Sequence, residues 1–419
     1  MAHLVVRGGR LLSGRVAVDG NKNAALPLLA ACVLTPETCE LRNVPQIRDV
    51  AVMTSLLRSL GATVDGEGTS TLRVTCAGIA SGTPDPAMVG RLRGSVMLMG
   101  SLLARVGWAT LAPPGGDFPA RRTISTHLRA LQALGARVTN DADGHRLEAP
   151  EGLKATSMYL PEASVTGTET ALMAAAVATG TTELRHAACE PHVVELCEML
   201  TGMGARVEGA GTSTLRITGA TSLRGVTHTL RGDYIEAASW GVVAAVTGGD
   251  ITVTGAKALD MEPTTAVLGD MGLDFDLRDD AFVVRPSTLR ASKRITTGLW
   301  PAFPSDIVSL VTVLATQAHG RTLLHDWMYE LRLFALEQLS SMGADLFLCD
   351  SHRIIVTGAS KLKGRTLDSR DIRSGMALIA AALAAEGESN ILEIETVERG
   401  YADLVNRLTS LGADVERRD

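Results

Sequence analysis

Aromatic residues make up only 3% of this 419-residue chain, so its core must be packed from Leu, Val, Ile and Ala rather than around large rings. Long apolar runs are missing as well. The longest, such as Ala24–Leu34 and Gly375–Ala385, have about 11 residues, well short of the roughly 20 that a membrane helix needs. The opening Met-Ala-His-Leu-Val-Val-Arg does not have a signal-peptide layout. With a net charge of −6 and a pI near 5.9, there is no global basic field for nucleic acid. Six scattered cysteines (Cys32, Cys39, Cys76, Cys189, Cys197, Cys349) show no metal-ligand spacing and read as reduced thiols of a cytoplasmic protein.

What the chain does have is a period. Six times a helix-like stretch ends in a Gly that follows Leu or Met, at Gly61, Gly135, Gly204, Gly272, Gly343 and Gly412, with spacings of 74, 69, 68, 71 and 69 residues. A repeat of about 70 residues over the whole length implies one supersecondary unit used six times. Each unit opens on an apolar, Ala-rich stretch, as in Ala24–Val33, Glu169–Val177, Ile235–Val246, Asp306–Thr316 and Gly375–Ala385. These stretches are apolar nearly all round, which places them inside. A Gly-centred turn and a strand follow, then an amphipathic helix such as Val194–Met203 that runs into the Gly signal, where a helix C-cap favours Gly. Alternating strands close the unit. The expected architecture is α/β, with inner helices and outer sheets, three repeats to a domain, twice over; the length favours two domains of about 200 residues.

Packing accounts for the repeat helices and strands, so function is sought in the loops. Gly20-Asn21-Lys22-Asn23 opens an apolar helix, and a Lys with two amides beside free backbone N–H groups makes an anion site or simply a solvated cap. The segment 111–122, Leu-Ala-Pro-Pro-Gly-Gly-Asp117-Phe-Pro-Ala-Arg121-Arg122, reads as an exposed loop carrying a carboxylate beside two guanidiniums. Arg93, Arg332, Arg373 and Arg399 each precede or join an apolar helix, where an unpaired guanidinium is expensive to bury. A small multiply charged anion would compensate several at once; ion pairs with Glu330, Asp371 and Glu398 would explain each singly. Asp306 stands at the start of another apolar helix, either as its N-cap or as a base facing a cleft.

In Gly-Asn-Lys22-Asn23-Ala-Ala-Leu-Pro, Asn43-Val-Pro-Gln-Ile-Arg-Asp49-Val, Pro114-Gly-Gly-Asp117, Ser164-Val165-Thr-Gly-Thr-Glu-Thr, Glu190-Pro-His-Val, Ala302-Phe-Pro-Ser-Asp306 and Arg399-Gly-Tyr, the chain resembles, from end to end, the enolpyruvyl transferases that act on UDP-N-acetylglucosamine. The branch acting on shikimate 3-phosphate is a poorer match, because Lys22 is followed by Asn-Ala rather than Ser. The resemblance implies a two-domain inside-out α/β barrel of six repeats, with residues 22–231 as one domain, 1–21 joined to 232–419 as the other, and the active site in the cleft between them. It implies phosphoenolpyruvate and a uridine nucleotide as substrates, with no metal or redox cofactor, no nucleic acid and no membrane partner.

Carried over by position, the resemblance implies that Lys22 and Arg122 hold the phosphate of phosphoenolpyruvate, Arg332 and Arg373 lie near its carboxylate, and Arg399 grips the bound intermediate. Asn23, Arg93, Ser164, Val165 and Asp306 would contact the sugar nucleotide, with Asp306 the partner of the attacking hydroxyl. Asp117 occupies the place of a loop cysteine that most members carry, the target of fosfomycin, which implies intrinsic resistance. An Asp flanked by Arg121 and Arg122 should favour ionisation, against its use as an acid, unless bound phosphate raises its pKa. Cys189, Leu331 and Glu398 also depart from the usual residues and leave the acceptor open, including another nucleotide such as UMP. A non-catalytic relative is disfavoured by the five cations Lys22, Arg122, Arg332, Arg373 and Arg399. A sliding clamp, also six repeats, is disfavoured by the absence of a basic lining.

Overall fold

The computed structural model describes residues 2–115, 123–141, 144–330 and 332–419. The chain divides into two compact units, Gly20–Arg231 and Met1–Asp19 with Gly232–Asp419. The first crossing thus falls two residues ahead of the sequence-based boundary.

In Gly20–Arg231 the apolar stretches of three repeats form the helices Lys22–Ala31, Leu98–Val106 and Val165–Ala175. Their middles are buried on all sides, as in Ala24–Ala31 and Gly167–Ala175, which is what an all-round apolar helix requires. The Ala-rich pattern misses the second of these, which is rich in Leu and Met. Close helix approach marks it instead: a Cβ at Gly100 would stand 2.5 Å from the carbonyl oxygen of Thr170.

Each repeat adds one sheet. Thr38–Arg42 pairs in parallel with Thr227–Thr229 and antiparallel with Thr71–Thr75, which pairs in turn with Thr63–Asp65. Ser157–Tyr159, Thr181–Arg185, Thr214–Thr218 and Arg206–Glu208 repeat this order. The third sheet keeps only the antiparallel strands Trp108–Leu111, Gly144–Glu148 and Arg137–Asp141. Where the others carry a parallel edge, Thr110 N–H donates to the carbonyl of Gly82 at 2.8 Å.

The other unit has the same plan. Its helices Tyr234–Thr247, Val308–Gln317 and Ile372–Ala384 pack on one another, and the fully buried Trp240 and Phe282 supply two of its few large rings. His3–Arg7 lies between Glu388–Leu392 and Asp414–Arg418, and Ser13–Ala17 pairs with Asp250–Thr254. The first nineteen residues therefore supply strands to two sheets of this unit, which is why the N-terminus belongs with the C-terminal half. The fifth repeat departs from the expected plan in its second helix, which is a 3-10 helix over Leu333–Ser340.

All six glycines of the periodic signal have positive φ, between 86° and 119°. At Gly61 a Cβ would also come within 2.6 Å of the carbonyl oxygen of Gly78, so no larger residue fits the turn that sends the chain from helix to strand.

Candidate active site

The described candidate residues gather at the N-terminal ends of helices or the loops leading into them, where free backbone N–H groups and the helix dipole favour anions. In Gly20–Arg231, Asn21 rather than a ligand takes two of these donors: its Oδ1 accepts from Asn23 N at 2.7 Å and Ala24 N at 3.2 Å. Lys22, the first residue of its helix, places Nζ 3.0 Å from Asp49, whose carboxylate is buried. Ser164 caps the Val165–Ala175 helix by accepting from Gly167 N at 3.2 Å, with Val165 as its first residue. Arg93 begins the 3-10 turn Arg93–Met97 and donates to the carbonyl of Thr123 at 3.2 Å. Asn23, Arg93, Ser164 and Val165 are all half-buried, so they are fixed by the fold and still accessible.

In the other unit, Pro304 and Ile307 take the helix N-cap positions and Asp306 does not. It lies within the 3-10 turn Ser305–Ile307, ahead of Val308–Gln317, and neither that turn nor that helix has a side-chain cap. Its carboxylate instead receives two guanidiniums: Arg332 Nη1 donates to Oδ1 at 3.0 Å and Arg373 Nη2 to Oδ2 at 3.5 Å. The N-terminal ends of two inner helices are thereby brought together. Of the carboxylates weighed from sequence proximity, Asp371 caps its helix through Arg373 N and Ser374 N and also favours the charge on Arg332, and Glu398 pairs with Arg417.

Asp306 is not the only acid acting on these cations: Asp326 and Asp371 also favour the charge on Arg332, and Asp233 that on Arg373. The side chains of Arg332 and Arg373 are only 16% and 8% exposed, so these charge interactions are weakly screened. Burial opposes the charge on each, yet Asp306 and neighbouring groups outweigh it and hold both guanidiniums above their ordinary pKa. The arrangement is a carboxylate held between two nearly buried guanidiniums, the side chains best suited to binding carboxylates and phosphates.

Sequence reasoning missed the residues that hold these groups. Tyr401 Oη lies 3.4 Å from Arg373 Nη1 and 2.8 Å from Ser239 Oγ, with its ring 5.9 Å from the guanidinium carbon. The Tyr329 ring is 4.3 Å from that of Arg332. Burial pushes the Tyr401 phenol upward despite the neighbouring Arg373, so it remains a neutral donor. Tyr401 had a visible signal in Arg399-Gly-Tyr, being an aromatic in a chain that has few. Arg399 itself is half-buried. Asp117 and Arg122 lie outside the described residues.

A sequence profile of EPSP synthase (3-phosphoshikimate 1-carboxyvinyltransferase) matches residues 6–408. The chain belongs to the EPSP synthase family. Within this family of carboxyvinyl transferases, it is 39% identical to the UDP-N-acetylglucosamine 1-carboxyvinyltransferase of Treponema denticola over all of both chains. It is 41% identical to the enzyme of that name from Treponema pallidum, over 98% of each chain. Among solved structures, the enolpyruvyl transferase NikO from Streptomyces tendae superposes with a TM-score of 0.90 at 26% identity, covering 99% of this chain and 98% of that one. EPSP synthase from Acinetobacter baumannii, at 19% identity and a TM-score of 0.79 over all of both chains, shares the fold. This family member is therefore a transferase with the enolpyruvyl transferase fold. Among its described residues no helix is long and apolar enough to cross a membrane, and no cluster of three His, Cys, Asp or Glu is suited to a metal ion.

Proposed function

We propose that this protein transfers the enolpyruvyl group of phosphoenolpyruvate to the 3'-hydroxyl of UDP-N-acetylglucosamine and releases phosphate, the first committed step of peptidoglycan synthesis, in the cytoplasm. The observation that carries the reading is Asp306 held between Arg332 and Arg373, in a chain whose full-length relatives bear that enzyme's name. On this reading Asp306 takes the proton of the hydroxyl as its oxygen attacks C2 of phosphoenolpyruvate, while the methylene carbon gains a proton. The resulting tetrahedral ketal carries a carboxylate and a phosphate. Arg332 and Arg373 stabilise the first, Lys22 and Arg122 the second, and Arg399 grips the intermediate. Breakage of the C–O bond to phosphate and loss of a proton from the methyl group then form the enol ether. Asn23, Arg93, Ser164 and Val165 hold the sugar nucleotide. The cations come from both units, so turnover requires residues of each to act on one substrate pair and exclude water from it.

A second reading, with another nucleotide such as UMP as acceptor, keeps the enolpyruvyl transfer that the solved NikO structure bears in its name and changes only the acceptor. Phosphate release from phosphoenolpyruvate with a panel of UDP-sugars and nucleotides separates the two. Release that depends on UDP-N-acetylglucosamine supports the first reading; release with UMP alone replaces it with the second.

Asp117 supplies an independent check. A carboxylate is a much poorer nucleophile than a thiolate toward an epoxide, so fosfomycin should leave the wild type active, and Asp117→Cys should be inactivated in a time-dependent way. If Asp117 is the proton donor, Asp117→Cys should also move the basic limb of the pH–rate profile upward, since a thiol stays protonated to about pH 8.5. Full turnover by Asp117→Ala at every pH would remove the acid role from this loop.

A further inference from the structure

Ser305 immediately precedes Asp306, and its hydroxyl has two neighbours: Asp326 Oδ2 at 2.7 Å and Arg332 Nη1 at 2.8 Å. A guanidinium has no acceptor, so Ser305 Oγ accepts from Arg332 and its single proton goes to Asp326. The other oxygen of Asp326 accepts from Thr297 Oγ1 at 2.8 Å and Met328 N at 3.2 Å. Asp326 is completely buried, and its backbone is fixed on both sides by His352, whose carbonyl accepts from Asp326 N at 2.8 Å and whose Nδ1 lies 2.7 Å from the Asp326 carbonyl. Asp326 is thus a rigid, acceptor-only group with donors on both oxygens, and its charge also favours the charged form of Arg332.

We propose that Asp326 is a positioning residue for the transfer reaction: by claiming the proton of Ser305 it turns that hydroxyl into an acceptor, which fixes Arg332 Nη1 against Asp306. The direction of the relay matters. Were Asp326 replaced by an amide that donates to Ser305, the hydroxyl proton would be released toward Arg332 or Asp306, and Nη1 would lose a well-aimed acceptor. The far end of the site is set by a different device, the Ser239–Tyr401 hydroxyl pair on Arg373, so the two guanidiniums are held independently.

The kinetic consequence rests on the transfer reading above; the geometric one does not. The test therefore has two arms, applied to Ser305→Ala and Asp326→Asn with melting temperatures confirming that each is folded. In the first, KM for phosphoenolpyruvate should rise about tenfold, the equivalent of one well-formed charged hydrogen bond, while KM for UDP-N-acetylglucosamine changes less than twofold. In the second, phenylglyoxal labelling followed by peptide mass spectrometry should show Arg332 modified several-fold faster than in the wild type, with Arg373 unchanged. Wild-type labelling rates at Arg332 in both folded variants would overturn the proposal, as would equal acceleration at Arg332 and Arg373, which would signal general loosening. A wild type that consumes no phosphoenolpyruvate would overturn the transfer reading alone, because the labelling arm still decides the positioning role.

Discussion

In the unit Gly20–Arg231 the candidate cation Lys22 is matched by one buried carboxylate, Asp49, at 3.0 Å. In the other unit two guanidiniums share the single carboxylate of Asp306. Around the second group stand further acids, Asp326 and Asp371 acting on Arg332 and Asp233 on Arg373, though both groups lie at the entry to apolar inner helices. Pairing a buried charge removes most of its desolvation cost but also most of its pull on a ligand. The two units thus hold their candidate cations differently: one sets a lysine against a buried acid, the other sets two arginines on one carboxylate with further acids nearby.

The strongest way to break this contrast is Arg373→Ala. It removes a charge-assisted contact in a nearly dry site, so phosphate release should fall by about a thousandfold or more, measured at saturating UDP-N-acetylglucosamine. Turnover near the wild-type value would take Arg373 out of the site. Next comes Asp306→Asn, which keeps the shape and removes the proton acceptor. Turnover should drop by roughly a hundred- to a thousandfold while calorimetry still detects nucleotide binding, and an active Asn variant would sink the base.

Asp49→Asn sharpens the contrast from the other side. It removes the buried carboxylate that Lys22 faces at 3.0 Å and should lower stability by up to about 3 kcal/mol, read from urea unfolding. Phosphate should then protect the variant more than the wild type. Equal protection would mean that the Lys22 charge does not reach the ligand.

The smallest effect is expected at Glu169, a buried carboxyl in the middle of Val165–Ala175. Burial, helped by Glu190, pushes its pKa well above the usual carboxylate range. A raised acid binds more protons folded than unfolded, so its contribution to stability is lost as pH rises above the unfolded value of about 4.3. Glu169→Gln should therefore match the wild type within about 0.5 kcal/mol at pH 5 and become relatively more stable toward pH 8. A difference that did not change with pH would mean the carboxyl is not held neutral.

Much of this arrangement was legible in the residues. The Leu/Met-Gly period marks six helix ends because a left-handed turn admits glycine at little cost, and every one of those glycines has positive φ. Five inner helices announce themselves by being apolar all round; Leu98–Val106 does not, because its packing relies on Gly100 and close approach to Thr170 rather than on alanine. For Asp306 the sequence left cap and base equally open. The capping reading failed because a neighbouring helix and a loop bring guanidiniums to the carboxylate, a fact that no local pattern contains. Ser305, Asp326 and Tyr401 were passed over for a related reason: a buried serine, aspartate or tyrosine looks like packing until its partners are known.

What the sequence determined by itself is the repeat, the α/β class, the inner helices and the family, since each is written in spacings of a few residues or in motifs that stand whole in the chain. Only the tertiary structure decided that Asp306 joins Arg332 and Arg373, residues 26 and 67 positions away, and that Asp326 reaches Arg332 through Ser305. Periodicity, caps and turns follow from forces that act along the chain over one or two turns. The charge balance of the site depends on which helix ends packing brings together, and it exists only once the inner helices have met.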